Sequence, residues 1–157
     1  MQKSTTCCFT GHRKLPKEKI GQVIKRLYYE VEYLIERGVT TFISGGALGF
    51  DQLAASLMIA KKEMGQEIRL IFVLPCKNQE KLWSVDQKKL YHNLLIEADE
   101  IIYISEEYHE GCMKKRNCFM VDHSSYCVCA QLRSFGGTWQ ILKYAKQQGL
   151  TVINTTE

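Results

Sequence analysis

The chain has 157 residues, 45% of them hydrophobic and 24% charged, with a formal net charge of +4. That length fits one domain that buries about two-thirds of its unfolded surface, so it needs no disulfide or metal staple. The composition argues against a membrane protein, because the apolar runs are too short to span a bilayer; the basic residues include lysine pairs (Lys61-Lys62, Lys88-Lys89, Lys114-Lys115) of the kind found on solvated helix faces, so the charge argues only weakly for an anionic small ligand.

In chain order, apolar β-type runs are predicted at 6–10, 40–44, 68–74, 100–104, 126–130 and 151–154, with helical patterns between them. The first helix is the clearest. Ile20, Val23, Ile24, Leu27, Val31, Leu34 and Ile35 recur at spacings of three and four, which puts them on one face. Pro16 suits its first turn and Gly38 its stop. Weaker helical patterns cover 50–64, 79–98, 109–124 and 138–148, with Gly65 and Gly149 as further stops. The strand runs are continuously apolar rather than alternating, as expected of strands covered on both faces. Strand-helix alternation of this kind predicts an α/β protein, a Rossmann-like three-layer α/β/α domain with a mostly parallel sheet spanning 1–157.

Seven cysteines is a high count. Cys7, Cys8, Cys127 and Cys129 lie in strand runs, where a thiol acts as a small hydrophobe, so they are expected reduced and buried. There is no C-x-x-C pair, and Cys127-x-Cys129 has the wrong spacing for a zinc knuckle, so no metal site is expected. The opening MQKSTTCCFTGH holds no apolar signal segment, and a cytoplasmic protein is expected.

Ligands of open parallel sheets bind beyond the carboxyl ends of the strands, so chemistry is sought in the loops that follow them. One such loop is Thr10-Gly11-His12-Arg13. A second runs from Ser44 to Asp51 with glycines at 45, 46 and 49, and a third brings Gly136, Gly137 and Thr138 to the start of the last helix. Glycines between a strand and a helix allow close backbone approach, and a helix start offers unpaired N–H groups to an anion. A double glycine is also often just a tight turn. Arg13 and Arg116 are candidates to fork onto a phosphate. His12 is a candidate hydrogen-bond donor, and Asp51 either complements a helix dipole or accepts from a ribose or base. G-x-G-x-x-G and G-x-x-x-x-G-K-[ST] are both absent, which disfavours ordinary dinucleotide oxidoreductases and P-loop NTPases.

Taken in order, TGHR, ISGGALGFDQLAA, LPCKNQEKLW, CMKKRNCFMVDHS and FGGTWQILKYA resemble the YpsA-like family of the SLOG superfamily, which is related to DprA and the Lonely Guy proteins. The resemblance implies a Rossmann-like fold whose glycine loops and arginine bind nucleotides or nucleotide-derived molecules. Its matched positions are Gly11 and Arg13; Ser44, Gly45, Gly46, Gly49 and Asp51; Arg116, Asn117 and Asp122; and Gly136, Gly137 and Thr138. Gln79 and Trp83 match a further family segment. Lonely Guy hydrolases are similar in M-x-x-R (here Met113 and Arg116) but carry a glutamate three residues after the threonine, where this chain has Ile141.

The reading that follows is a binding or sensing module for a nucleotide or ADP-ribose-like molecule that signals to a protein effector. It requires no cofactor and no catalytic residue. Two alternatives stand beside it: a Lonely Guy-like enzyme cleaving an N-glycosidic or phosphate bond, and single-stranded DNA binding. Nucleic acid is the less expected partner, because the chain has no basic tail and no aromatic ladder. A homodimer is expected through an apolar patch of Tyr108, Phe119 and Met120.

Overall fold

The structure is a computed structural model and describes residues 1–157. After a short 3-10 turn (Lys3–Thr5), the chain alternates β1 (Thr6–Gly11), α1 (Lys17–Glu36), β2 (Thr41–Ser44), α2 (Phe50–Glu63), β3 (Arg69–Leu74), α3 (Val85–Ile96), β4 (Glu100–Tyr103), α4 (Cys112–Asp122), β5 (Tyr126–Ala130), α5 (Gly137–Gln147) and β6 (Thr151–Asn154). The six strands form one sheet in the order β4-β3-β2-β1-β5-β6. Every neighbouring pair is parallel.

Two apolar layers sandwich the sheet. On one face α1, α2 and α3 bury Val23, Leu27, Phe50, Met58 and Tyr91 against Cys7, Phe9, Phe42 and Phe72. On the other, α4 and α5 bury Met120, Val121, Ile141 and Leu142 against Cys8, Ile43, Val73 and Cys129. Alternate residues of each strand thus serve opposite layers, which is why the strands read as unbroken apolar runs. The expected Rossmann-like α/β/α architecture is what the chain adopts.

The differences lie at edges and ends. β4 is an edge strand and leaves Ile101 and Tyr103 partly exposed, so it is not covered on both faces as its apolar run predicts. Ile20 and Ile24 also stay exposed, while Val23, Leu27, Val31 and Leu34 form the buried stripe of α1. Pro16 is the residue before the helix rather than part of its first turn. α3 begins at Val85, well after 79, because Ser84 closes a capping box: its Oγ accepts from Gln87 N–H (3.1 Å) and Gln87 Oε1 accepts from Ser84 N–H (3.0 Å). The patch expected for a homodimer is not a surface patch. Met120 is buried, Phe119 stacks on His123, and of the three residues only Tyr108 is fully exposed. All seven cysteines are free thiols, with Cys118 alone partly exposed. No helix is long and apolar enough to cross a membrane.

Candidate functional site

The strand order reverses between β1 and β5, since the chain moves outward from β1 to β4 and then returns to β1's other side. A crevice of about 500 Å³ opens there, beyond the carboxyl ends of these strands. Its wall comes from the ends of three strand-to-helix loops and from α4: Gly11, His12 and Arg13; Ala47 and Asp51; Arg133, Gly137 and Thr138; and Met113, Arg116 and Asn117. The three glycine loops therefore converge. Ser44, Gly45, Gly46, Gly49, Gly136 and Asp122 do not reach the wall, and each is absent from it for a physical reason.

The loop after β2 is bolted into the protein. Ser44 Oγ donates to the Asp51 carbonyl (2.9 Å) and accepts from Gly46 N–H (3.2 Å), so the Gly46 amide points inward rather than toward a ligand. Gln52 Nε2 donates to the Gly46 carbonyl (3.1 Å). The Gly45 carbonyl accepts from two donors, Arg116 Nη1 (2.6 Å) and Gln79 Nε2 (3.2 Å). Gln79 also donates to Tyr91 Oη (2.9 Å), and Trp83 packs edge-on against that ring. The NQEKxW segment thus braces the loop from behind. A Cβ on Gly46 would meet Leu74 and Tyr91 in the core, not the crevice. Gly49 sits at φ 85° against the carbonyls of His12 and Arg13, where a side chain has neither an allowed conformation nor room. Gly136 precedes α5 with its Cα facing the Arg133 side chain. Asp122 is on the outer surface, where its Oδ1 accepts from Tyr144 Oη (2.6 Å) and clips α4 to α5.

Arg116 is only 4% exposed. Its Nε donates to Asn117 Oδ1 (2.7 Å) and its Nη1 to Gly45, so it is a buried floor residue rather than a loose fork at the mouth. Asp51, 7% exposed, faces it across the bare Cα of Gly45 with no direct ion pair between them. Burial pushes the Asp51 carboxyl up to about 6, against the pull of Arg116, the Ala47 amide and Arg13. Burial likewise lowers Arg116, and Asp51 opposes that. His12 Nε2 accepts from Leu132 N–H (3.0 Å), leaving Nδ1 to carry the proton of the neutral ring; burial and then Arg133 lower its pKa. His12 thereby ties the end of β1 to the loop after β5.

The anion-receptive part of the crevice is the α5 end. Gln140 N–H already bonds the Gly136 carbonyl (3.1 Å), so Gly137, Thr138 and Trp139 N–H are the amides with no intrahelical acceptor. Thr138 stands in the first turn of the helix and not at its cap. Arg133 approaches this end at Gly136, and Arg13, Lys14 and Arg116 line the same crevice, which makes it strongly cationic with Asp51 as its one carboxylate. Lys14 and Arg133 were not predicted as site residues. Arg133 was findable, because it follows the carboxyl end of β5, the strand beside β1. Ile141, at the position where the related hydrolases carry a glutamate, is packed in the α4–α5 core.

A parallel sheet with an anion-receptive crevice at its switch point defines a Rossmann-like α/β protein. The family model for the YspA SLOG family matches residues 7–149, and the chain belongs to that family. It is 36% identical over 143 residues to the SPbeta prophage-derived protein YoqJ of Bacillus subtilis, covering 83% of this chain and 80% of that one. It is 31% identical over 107 residues to the UPF0398 protein BH1768 of Halalkalibacterium halodurans, covering 67% of this chain but only 57% of that protein. Among solved structures it is similar to DNA processing protein A (DprA) of Streptococcus pneumoniae, with TM-score 0.69 and 17% identity over 94% of this chain. DprA of Helicobacter pylori, whose structure concerns its single-stranded DNA binding mode, gives TM-score 0.64 and 18% identity. The chain spans 48% and 63% of those two proteins, and the likeness is one of fold.

Proposed function

We propose that the crevice binds the phosphate of a nucleotide or nucleotide-derived molecule, in the size range of ADP-ribose, and that the protein is a binding or sensing module that passes occupancy to a protein partner. The observation that carries this reading is the α5 terminus: three amides without intrahelical acceptors at a crevice that Arg13, Lys14 and Arg133 also line, together with a buried carboxylate that takes no side-chain ion pair. A phosphate fits the cationic end and is repelled by Asp51, which suits a ribose hydroxyl instead. The crevice volume lies within the usual range for small ligands.

The test is a thermal-shift screen of nucleotides, since a ligand of the native state raises its stability. Arg133→Ala removes an exposed charge-assisted contact and is expected to weaken the best ligand about tenfold to a hundredfold without unfolding the protein. A screen with no stabilising nucleotide overturns the reading. Hydrolysis would have to run through Asp51 or His12, because Ile141 offers no ionisable group and Asp122 is on the outer surface. Chromatographic release of free base that Asp51→Asn abolishes would make the protein an enzyme.

A second reading, single-stranded nucleic acid, is favoured by one feature of the rim: Phe135 is 65% exposed with the Arg133 guanidinium 5.1 Å from its ring centroid, a pairing suited to a stacked base. Steep loss of oligonucleotide affinity with salt, with Phe135→Ala lowering the affinity at every salt concentration and leaving the slope unchanged, would support it over the small-ligand reading.

A further inference from the structure

A second hollow of about 630 Å³ runs between α4 and α5 and has not been used so far. Met113, Asn117 and Gly137 line both it and the crevice. Met113 and Asn117 are one helical turn apart on α4, and Gly137 opens α5, so the two hollows meet at the α5 terminus. A Cβ on Gly137 would meet no atom within 4 Å, and its φ is not in the left-handed region. The space at residue 137 is therefore open, and nothing in the backbone requires glycine there.

The two hollows differ in chemistry. The crevice wall is charged, with Ala47 and Met113 its apolar members. The α4–α5 groove contains no carboxylate and is also lined by Lys114 and Lys143, but it adds what the crevice lacks: the apolar Ile141 and Tyr144 beside Met113, with the amides of Gln140 and Gln147 beside that of Asn117. Asn117 is oriented, because its Oδ1 accepts from Arg116 Nε, which leaves its NH₂ as the free end at the junction. Gln140 and Gln147 are on the same wall of α5, with both donors and acceptors to offer. Flat apolar faces edged by amides are what a nucleobase needs, and a phosphate has no use for them.

We infer that crevice and groove are one bipartite site, joined across Gly137, that takes a nucleoside 5′-phosphate with its phosphate at the cationic α5 terminus and its base between α4 and α5. This rests on the phosphate reading of the crevice and adds the direction in which the ligand lies. It also separates the residues that hold any sugar phosphate from those that sense a base.

The experiment compares ribose 5-phosphate with the four common nucleoside 5′-monophosphates by calorimetric titration of the whole chain. In the wild type at least one nucleotide is expected to bind about tenfold tighter than ribose 5-phosphate. Gln140→Phe, on the groove wall and outside the crevice, should remove that advantage and leave ribose 5-phosphate within about twofold, so that a loss caused merely by crowding the phosphate is recognised. Equal binding of sugar phosphate and nucleotides in the wild type overturns the bipartite site but leaves the crevice reading intact. So does equal weakening of both ligands by Gln140→Phe. If neither ligand binds, the crevice reading itself falls, and this one with it.

Discussion

Two glycine-rich turns, each leading from a strand into a helix, have opposite roles here. In the turn after β2 the polar groups of Ser44, Gly45 and Gly46 are satisfied by the protein itself, and its glycines are required by close approach or by backbone conformation. In the turn before α5 the amides are left over, and Gly137 faces open space. The same local sequence device therefore builds the floor in one place and the receptive surface in the other. What separates them is where distant segments end up: Arg116 and Gln79 reach the glycines of the first turn, whereas at the second His12, Asn154 and Thr156 bond Gln131 and Leu132, short of the glycines.

The sharpest way to break the contrast is to add one methyl group to the first turn. Gly49→Ala imposes a left-handed conformation on an L-residue and drives its Cβ into the carbonyls of His12 and Arg13. It should cost about 3 kcal/mol or more in urea unfolding. A cost below about 1 kcal/mol would mean the first turn is not rigid.

The next effect is electrostatic and belongs to the floor. Because Asp51 titrates at about 6 when folded against an ordinary 3.8, the folded state holds a proton between those values that the unfolded chain has released. Stability contributed by this group is therefore full below about pH 4 and falls as pH rises to about 6, by on the order of 3 kcal/mol. His12, with a lowered pKa, works in the opposite sense, gaining stability as pH rises toward its ordinary 6.5. The pH profile of wild type minus that of Asp51→Asn isolates the carboxyl, and a flat difference between pH 4 and 6 would refute its burial as a charge-bearing floor group.

The smallest effect belongs to the second turn. Gly137→Ala lies in the first turn of α5 in ordinary backbone and open space, and should change stability by no more than about 1 kcal/mol, in the stabilising direction. A loss comparable to that of Gly49→Ala would erase the distinction between the two turns.

The sheet was legible in the sequence because strands buried on both faces read as apolar runs, and the four inner strands behave so. β4 misled at the edge, since its residues carry strand propensity whether covered or not. The location of the crevice was legible from the rule that ligands lie beyond strand ends. Which groups face the cleft was not. Gly45 and Gly46 look like a phosphate cradle until Ser44 and Arg116 are seen to consume their polar atoms. The cations that make the crevice attractive to anions stand at 13, 14, 116 and 133, too scattered along the chain to read as a patch. The Ser84 and Gln87 pair was a readable helix start, and it would have shortened α3 correctly.

The return of the chain across the sheet has a consequence for how the protein is made. β1 is central, yet one of its two partners, β5, begins at Tyr126, while the other, β2, begins at Thr41. During synthesis the strands up to β4 can pair first, leaving β1 as an unpaired edge bearing Cys7, Cys8 and Phe9 until the last fifth of the chain arrives. Arg116 reaches Gly45 across 71 residues, so the floor of the crevice waits for α4, and its Arg133, Gly137 and Thr138 wall waits for that last segment. An incomplete or prematurely ended chain would thus expose an apolar strand edge and lack a site, and both defects are repaired by the same segment.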